Sequence, residues 1–366
     1  MSNLLTRFSK FLFCVFSVFC IAGNTSFACS RALWISDEGV VIARTMDWAG
    51  SMDSNIFVYP RGIQRDGLAE VNSLTWTSKY GRIVTSAYDA LATDGFNEKG
   101  LSAHIFWLEE SDYGTRVPTT PGMSVLMWEQ FYLDNFATVD EAVAYTKNHP
   151  FQLEAFELDS AVNLHLIISD ATGDTAIFEY IDGKLHTYHG RELTVTTNSP
   201  SFDQQLENLR QYKGFGGTKL LPGTTNSKDR FVRAAYYASH LPKAASGRDA
   251  ISKILSVIDS TVQPFSTVGE SGDASMSGTI WRTALDLTHR VYYYESTTDR
   301  SLVWINLDDF NLQKGAPIYK LELANRTGLS GNVAKEFKPI STNQPLSFSV
   351  QSVKRAHKMA MMKRQK

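Results

Sequence analysis

The residue in this sequence best equipped for chemistry is Cys29, in the stretch Ser26-Phe27-Ala28-Cys29-Ser30-Arg31 at the end of an apolar leader. A cut after Ala28 leaves a thiol and a free α-amino group on one residue, within proton-transfer reach directly or through one water. An unperturbed thiol titrates near about 8.5 and an α-amino group near about 7.7–8.0, so the amine is a base matched to the thiol without a histidine. Three accounts of Cys29 stand side by side. One is a small buried hydrophobe, the common fate of a free cysteine. Another is a lipidated cysteine, although Ser26 stands where that recognition site favours Leu and Phe27 where a small residue is usual. The third, an N-terminal nucleophile, is preferred on Cys29 together with the residues that follow it.

The leader has Arg7 and Lys10, an apolar run over 11–22, the polar Asn24-Thr25-Ser26, and small residues at Ser26 and Ala28 where signal peptidase reads. The run is shorter than the about 20 apolar residues of a transmembrane span. This predicts a signal peptide over 1–28, a periplasmic or secreted product and no stable membrane anchor. Cys14 and Cys20 leave with the leader, so Cys29 has no cysteine to pair with. The rest of the 366 residues, 43% hydrophobic and 20% charged overall, suits a globular domain over 29–353. A net charge of −2 gives no electrostatic reason to bind nucleic acid. The basic stretch 354–366 reads as a frayed tail.

Short strands must position Cys29. Residues 32–35, the turn Asp37-Glu38-Gly39 and residues 40–44 predict a hairpin that begins at the nucleophile. Its return strand continues as Arg44-Thr45-Met46-Asp47-Trp48. Alternation sends Arg44, Met46 and Trp48 to one face and Thr45 and Asp47 to the other, so a bend after Met46 is needed for Arg44 and Asp47 to converge. Strands are predicted at 56–59, 83–88 and 102–107, with 94–101 a tight polar turn in which Gly100 takes a positive φ. A helix is predicted over 123–136, and a second through Tyr145 behind a Thr138/Glu141 capping box. Strands follow at 164–168, 175–180 and 185–188, then the block 195–200. Helices at 202–211, 229–240 and 248–259 come next, with 214–227 a mobile loop, and strands at 280–287, 290–295 and 301–306 finish the series. Strands and helices alternate in groups, which argues α+β with antiparallel sheets.

The sequence has no Gly-rich phosphate loop, no H-E-x-x-H pair and no G-x-S-x-G elbow, so neither cofactor nor metal is expected. His104, His165 and His189 lie in or near predicted strands and read as structural.

Five features recur in one order: Cys29 at a cleavage site, Arg44-Thr45-Met46-Asp47-Trp48, Asn97-Glu98-Lys99-Gly100-Leu101, Thr197-Asn198-Ser199-Pro200, and Arg282 opening a strand to Asp286-Leu287. In these the chain resembles the choloylglycine hydrolases, the bile salt hydrolases and penicillin V acylases among N-terminal nucleophile hydrolases. The resemblance implies an αββα sandwich of two antiparallel sheets flanked by helices, and a small-molecule N-acyl amide substrate. It also implies that Cys29 attacks the amide carbonyl and forms a thioester. Arg44 would lie near the thiol and Asp47 would accept a hydrogen bond from the terminal amine. Asn198 and the backbone amide of Trp107 would stabilise the oxyanion, and Arg282 would complete the charge network. Taken alone, Arg44 with Asp47 and Arg282 with Asp286 also read as structural ion pairs, and Asn198 as a turn residue. Intracellular bile salt hydrolases carry Asn where this chain has Trp107, and Trp48 faces the same region. These two binding residues favour a flat phenoxyacetyl group or a narrow alkyl chain over a steroid, as in exported Gram-negative penicillin V acylases, some of which cleave acyl-homoserine lactones. Homotetramers are frequent in the family.

Overall fold

The hairpin that carries Cys29 extends further than the β-branched runs suggest. β1 (Ala28–Ser36) pairs antiparallel with β2 (Gly39–Trp48), from Ala28 opposite Asp47 to Ser36 opposite Gly39. The computed structural model describes residues 28–48, 50–157, 162–265, 278–323 and 328–340. The expected signal peptide, Ala28 apart, and the 354–366 tail lie outside the described residues.

In chain order the elements continue as β3 (Ile56–Tyr59), β4 (Arg82–Ala87), β5 (Leu91–Asn97), β6 (Ser102–Trp107), α1 (Trp128–Asn135), α2 (Val139–Asn148), β7 (Leu164–Ser169), β8 (Thr175–Ile181) and β9 (Lys184–His189). Then come β10 (Val195–Thr197), α3 (Phe202–Leu209), α4 (Ser227–Ser239), α5 (Gly247–Asp259), β11 (Gly278–Asp286), β12 (Val291–Ser296), β13 (Leu302–Asn306), β14 (Ile318–Leu321), β15 (Gly331–Asn332) and β16 (Lys338–Ile340). One sheet has seven strands in the order β10-β1-β2-β11-β12-β13-β15. The other has nine, β9-β8-β7-β6-β5-β4-β3-β14-β16. Helices α4 and α5 cover β1 and β2, while α1 covers β5 and β6, giving the expected α+β, αββα sandwich. Each layer buries an apolar stripe: Ile251, Ile254 and Ile258 of α5 on one side, Tyr132 and Phe131 of α1 on the other. Among the described residues no helix is long and apolar enough to cross a membrane.

Three local expectations need correction. Residues 94–97 belong to β5, not to a turn; the reversal begins at Glu98, with Gly100 at φ 81° and the Asn97 side chain accepting from the Lys99 and Leu101 amides. The helix expected from 123 starts later, because Gly122–Ser124 pairs as a short parallel strand with Gln152–Glu154 before a 3-10 turn leads into α1. The 214–227 connection is irregular but tied down: Arg233 donates to the carbonyls of Pro222 (3.1 Å) and Thr224 (2.7 Å). Thr138 does cap α2, accepting from the Glu141 amide at 3.2 Å.

Polar groups, not only apolar packing, join the two sheets. The Tyr292 hydroxyl of β12 reaches across to Asp94 of β5 (2.5 Å) and Thr85 of β4 (2.7 Å). His104 Nδ1 lies 2.6 Å from the same Asp94. Burial pushes the imidazole down from 6.5 to about 4, so near neutral pH His104 is uncharged and donates from Nδ1. Like His104, His165 and His189 each face a carboxylate, Glu179 and Asp174, as structural histidines would.

This fixes the sign of an acid effect. Between pH 6.5 and 4 the unfolded chain binds a proton at His104 that the folded chain refuses, so stability falls as pH drops through that window. The loss is roughly 3 kcal/mol by the usual conversion. Urea unfolding at pH 7 and pH 4.5 should show a smaller difference for His104→Gln than for wild type; equal acid sensitivity of the two proteins would contradict the assignment.

Candidate active site

Register decides what surrounds Cys29. It pairs with Met46, and Arg31 pairs with Arg44, so all four side chains share the face of β1 and β2 that looks toward the second sheet. Arg44 Nη2 lies 3.5 Å from the Cys29 sulfur. The guanidinium is held by the Thr93 carbonyl (2.5 Å), by Asp94 (3.9 Å) and by the Phe106 ring, whose centroid is 4.3 Å away. Burial pushes the thiol above its ordinary value, and Arg44 together with a backbone hydrogen bond from Asp47 offsets only part of that. At rest the thiol is therefore protonated, and attack requires a base.

The main chain of Cys29 meets a different set of groups. Its N–H donates to Asn198 Oδ1, and the same oxygen accepts from Arg230 Nη2 at 3.2 Å. Arg230 Nη1 donates to the Cys29 carbonyl and to Ser30 Oγ, both at 2.5 Å, and stands 4.0 Å from Asp47. Asn198 Nδ2 donates to the Trp107 carbonyl at 2.9 Å, and Ser199 Oγ accepts from the Glu109 amide at 2.8 Å. These contacts tie the end of β10 in one sheet to the end of β6 in the other. Asp47 accepts from Thr279 (2.5 Å) and Thr45 (3.3 Å). Burial nonetheless raises its carboxyl to about 7, against the pull of Arg230 and these two hydroxyls.

Cys29, Arg44, Asp47, Trp107 and Asn198 thus come together, whereas Arg282 does not. It sits opposite Thr45 and Glu295 on the helix-facing side of β11, with its guanidinium paired to Glu295 (2.5 Å) and to Asp259 at the end of α5. It is an ion-paired structural arginine, with partners other than the expected Asp286, whose carboxylate takes His289 instead. The bend expected after Met46 is also unnecessary. β2 runs on to Trp48, and Arg44 and Asp47 serve opposite sides of Cys29 from opposite faces.

Arg230, which sequence reading missed, occupies the place expected for Arg282. The signal was present in α4: residues 230, 234 and 238 fall on one helical stripe, and Ala234 and Ala238 are buried with Arg230. A charge on a buried stripe is unusual unless it is paired.

Beside the thiol is a cavity of about 60 Å³ with an apolar wall that includes Met46, Met52, Leu126 and Leu164. Trp48 and Trp107, both half-buried, line it. A family model for linear amide C–N hydrolases, choloylglycine hydrolase family, matches residues 29–320. The chain belongs to that family. It is an enzyme of the linear amide hydrolase class within the N-terminal nucleophile fold. The choloylglycine hydrolase relatives include the penicillin V acylase of Pectobacterium atrosepticum, 36% identical over 357 residues, 90% of this chain and 94% of that one. The bile salt hydrolase/transferase of Bifidobacterium longum subsp. longum is 25% identical, covering 78% of this chain and 96% of its own. Among solved structures, the penicillin V acylase from Agrobacterium tumefaciens gives a TM-score of 0.79 at 40% identity, covering 86% of this chain and 98% of that chain. A conjugated bile acid hydrolase from Clostridium perfringens shares the fold, with a TM-score of 0.68 at 24% identity over 83% and 99% of the two chains.

The two arginines separate by experiment. Arg230→Lys should lower kcat/KM about 100-fold, since a lysine cannot hold Cys29, Ser30 and Asn198 at once. Arg282→Lys should leave kcat/KM near wild type and show its effect in the melting temperature. The opposite pattern would return Arg282 to the reacting centre.

Proposed function

We propose that this protein is exported, begins at Cys29 once the leader is removed, and hydrolyses the linear amide of N-acyl compounds such as penicillin V or N-acyl-homoserine lactones. One observation carries the reading: the Cys29 thiol faces Arg44 at the wall of an apolar cavity while its own nitrogen faces Asn198 beside Arg230. Ala28 lies opposite Asp47 in the uncut hairpin, so its removal opens the position beside that carboxylate to the new amine. The free amine takes the thiol proton as sulfur attacks the acyl carbon. Negative charge on the carbonyl oxygen is met by Asn198 Nδ2 and the Trp107 backbone N–H, and Arg230 holds the Asn198 amide in place. Collapse passes the proton to the leaving nitrogen and yields a thioester at Cys29. Water, deprotonated by the same amine, then releases the acid. Identities of 36% and 40% to two penicillin V acylases support the substrate class, as do Trp48 and Trp107 at the cavity.

Two measurements test this reading. Intact-mass spectrometry of the exported product should give a chain beginning at unmodified Cys29; a lipid on that cysteine would favour an anchored binding protein instead. A form that retains Met before Cys29 should fold yet be nearly inactive, and Cys29→Ser should lose most turnover. Full activity of either rules out the terminal nucleophile.

Substrate choice is tested by comparing kcat/KM for penicillin V, a long-chain acyl-homoserine lactone and glycocholate. The first two should lead, and Trp107→Ala should lose efficiency on them while melting close to wild type. Fastest turnover of glycocholate would make bile salts the better assignment.

A further inference from the structure

The cavity at Cys29 is smaller than the acyl groups assigned to it. A cavity of about 150 Å³ holds one benzene, and this one has about 60 Å³. A larger space lies beside it, and the two have one lining residue in common. Met52 is buried and forms part of the wall of both the Cys29 cavity and a neighbouring cleft of about 510 Å³. The floor of that cleft is apolar, with Tyr294 and Val303 buried and Ile280, Leu323 and Leu329 half-buried, and Ser51 and Thr298 lie exposed along it.

The backbone around Met52 is held, while its side chain has no hydrogen bond among the described residues. The Met52 carbonyl accepts from the Tyr88 amide at 2.7 Å, and Ser54 Oγ accepts from Trp281 Nε1 at 3.1 Å. Asp53 takes a left-handed φ of 44°, and its amide donates to Ser51 Oγ at 3.0 Å. An unbranched thioether with three rotatable bonds on a fixed backbone can swing aside without moving the loop.

We propose that Met52 is a gate between the two spaces, and that the larger cleft receives the distal part of a linear acyl chain whose carbonyl is at Cys29. This rests on the reading of Cys29 as nucleophile and of its cavity as the acyl side. The chain that fits is uncharged to its end, because Asp53 and Asp299 line the same cleft and repel a terminal carboxylate. Short acyl groups stop at Met52, and long ones pass it.

The test measures kcat/KM across butanoyl to dodecanoyl homoserine lactones, with penicillin V as reference, for wild type, Leu323→Trp and Met52→Ala. Leu323→Trp fills the cleft from a half-buried position away from Cys29. It should lower efficiency on the dodecanoyl substrate about tenfold while the butanoyl substrate stays near wild type. Met52→Ala should raise the dodecanoyl-to-butanoyl ratio several-fold, and a dodecanedioyl substrate should be poor throughout. Parallel changes at all chain lengths, or none, overturn the gate while leaving the amidase reading intact. Absence of turnover by wild type on every member and on penicillin V overturns both.

Discussion

Two arginines face each other across the first hairpin, and the sandwich is built around cancelling their charge. Arg31 and Arg44 are directly opposite in register on β1 and β2, and neither is exposed to solvent. Like charges in that position repel, and burying each costs several kcal/mol unless it is compensated. Burial, with the like charge of Arg44 adding to it, pulls Arg31 down to about 9 against the opposing pull of Asp94. Because Asp94 comes from the other sheet, the charges balance only when the two sheets are stacked. His104 and Tyr292 hold the Asp94 carboxylate as neutral donors, which leaves its charge to the arginines. Arg44 then lies between the Cys29 sulfur and the Asp94 carboxylate that offsets its charge.

The same hairpin divides its labour by parity. Residues on the sheet-facing side of β2, Arg44 and Met46, meet the thiol. Asp47, on the other side, meets Thr45, Thr279 and Arg230, and Arg230 arrives from the helix layer. A strand has two faces and Cys29 has two functional ends, so one hairpin supplies both environments without an irregular backbone. Each end has its own arginine.

How much of this was legible in the sequence depended on whether a residue's role was local. The strand pattern around Cys29, the positive φ at Gly100 and the Thr138 cap are written into neighbouring residues, and they appear where local rules place them. Asp94 looked like a turn residue because Asp-Gly usually is one. In the protein Gly95 pairs with Val84 of β4, and a Cβ there would run into the Ile83 carbonyl, so the glycine serves a close approach of neighbouring strands. Arg230 and Arg282 are both arginines in regular elements; the 230/234/238 stripe of α4 hints at burial, and the packing of α4 against β1 shows which of them reaches Cys29. The strands β14, β15 and β16 were missed because each is four residues or fewer, too short to show a period.

Asn198 and Ser199 fasten the end of one sheet to the end of the other through Trp107 and Glu109. The cleft beside Cys29 therefore lies at a seam between two stacked sheets, with loop residues such as Met52 and Phe156 completing its wall. Stacked sheets keep a separation of about 10 Å, set by the side chains between them, and interiors of this kind resist being spread. A molecule entering a seam has to be thin in one direction, whatever its length in the others.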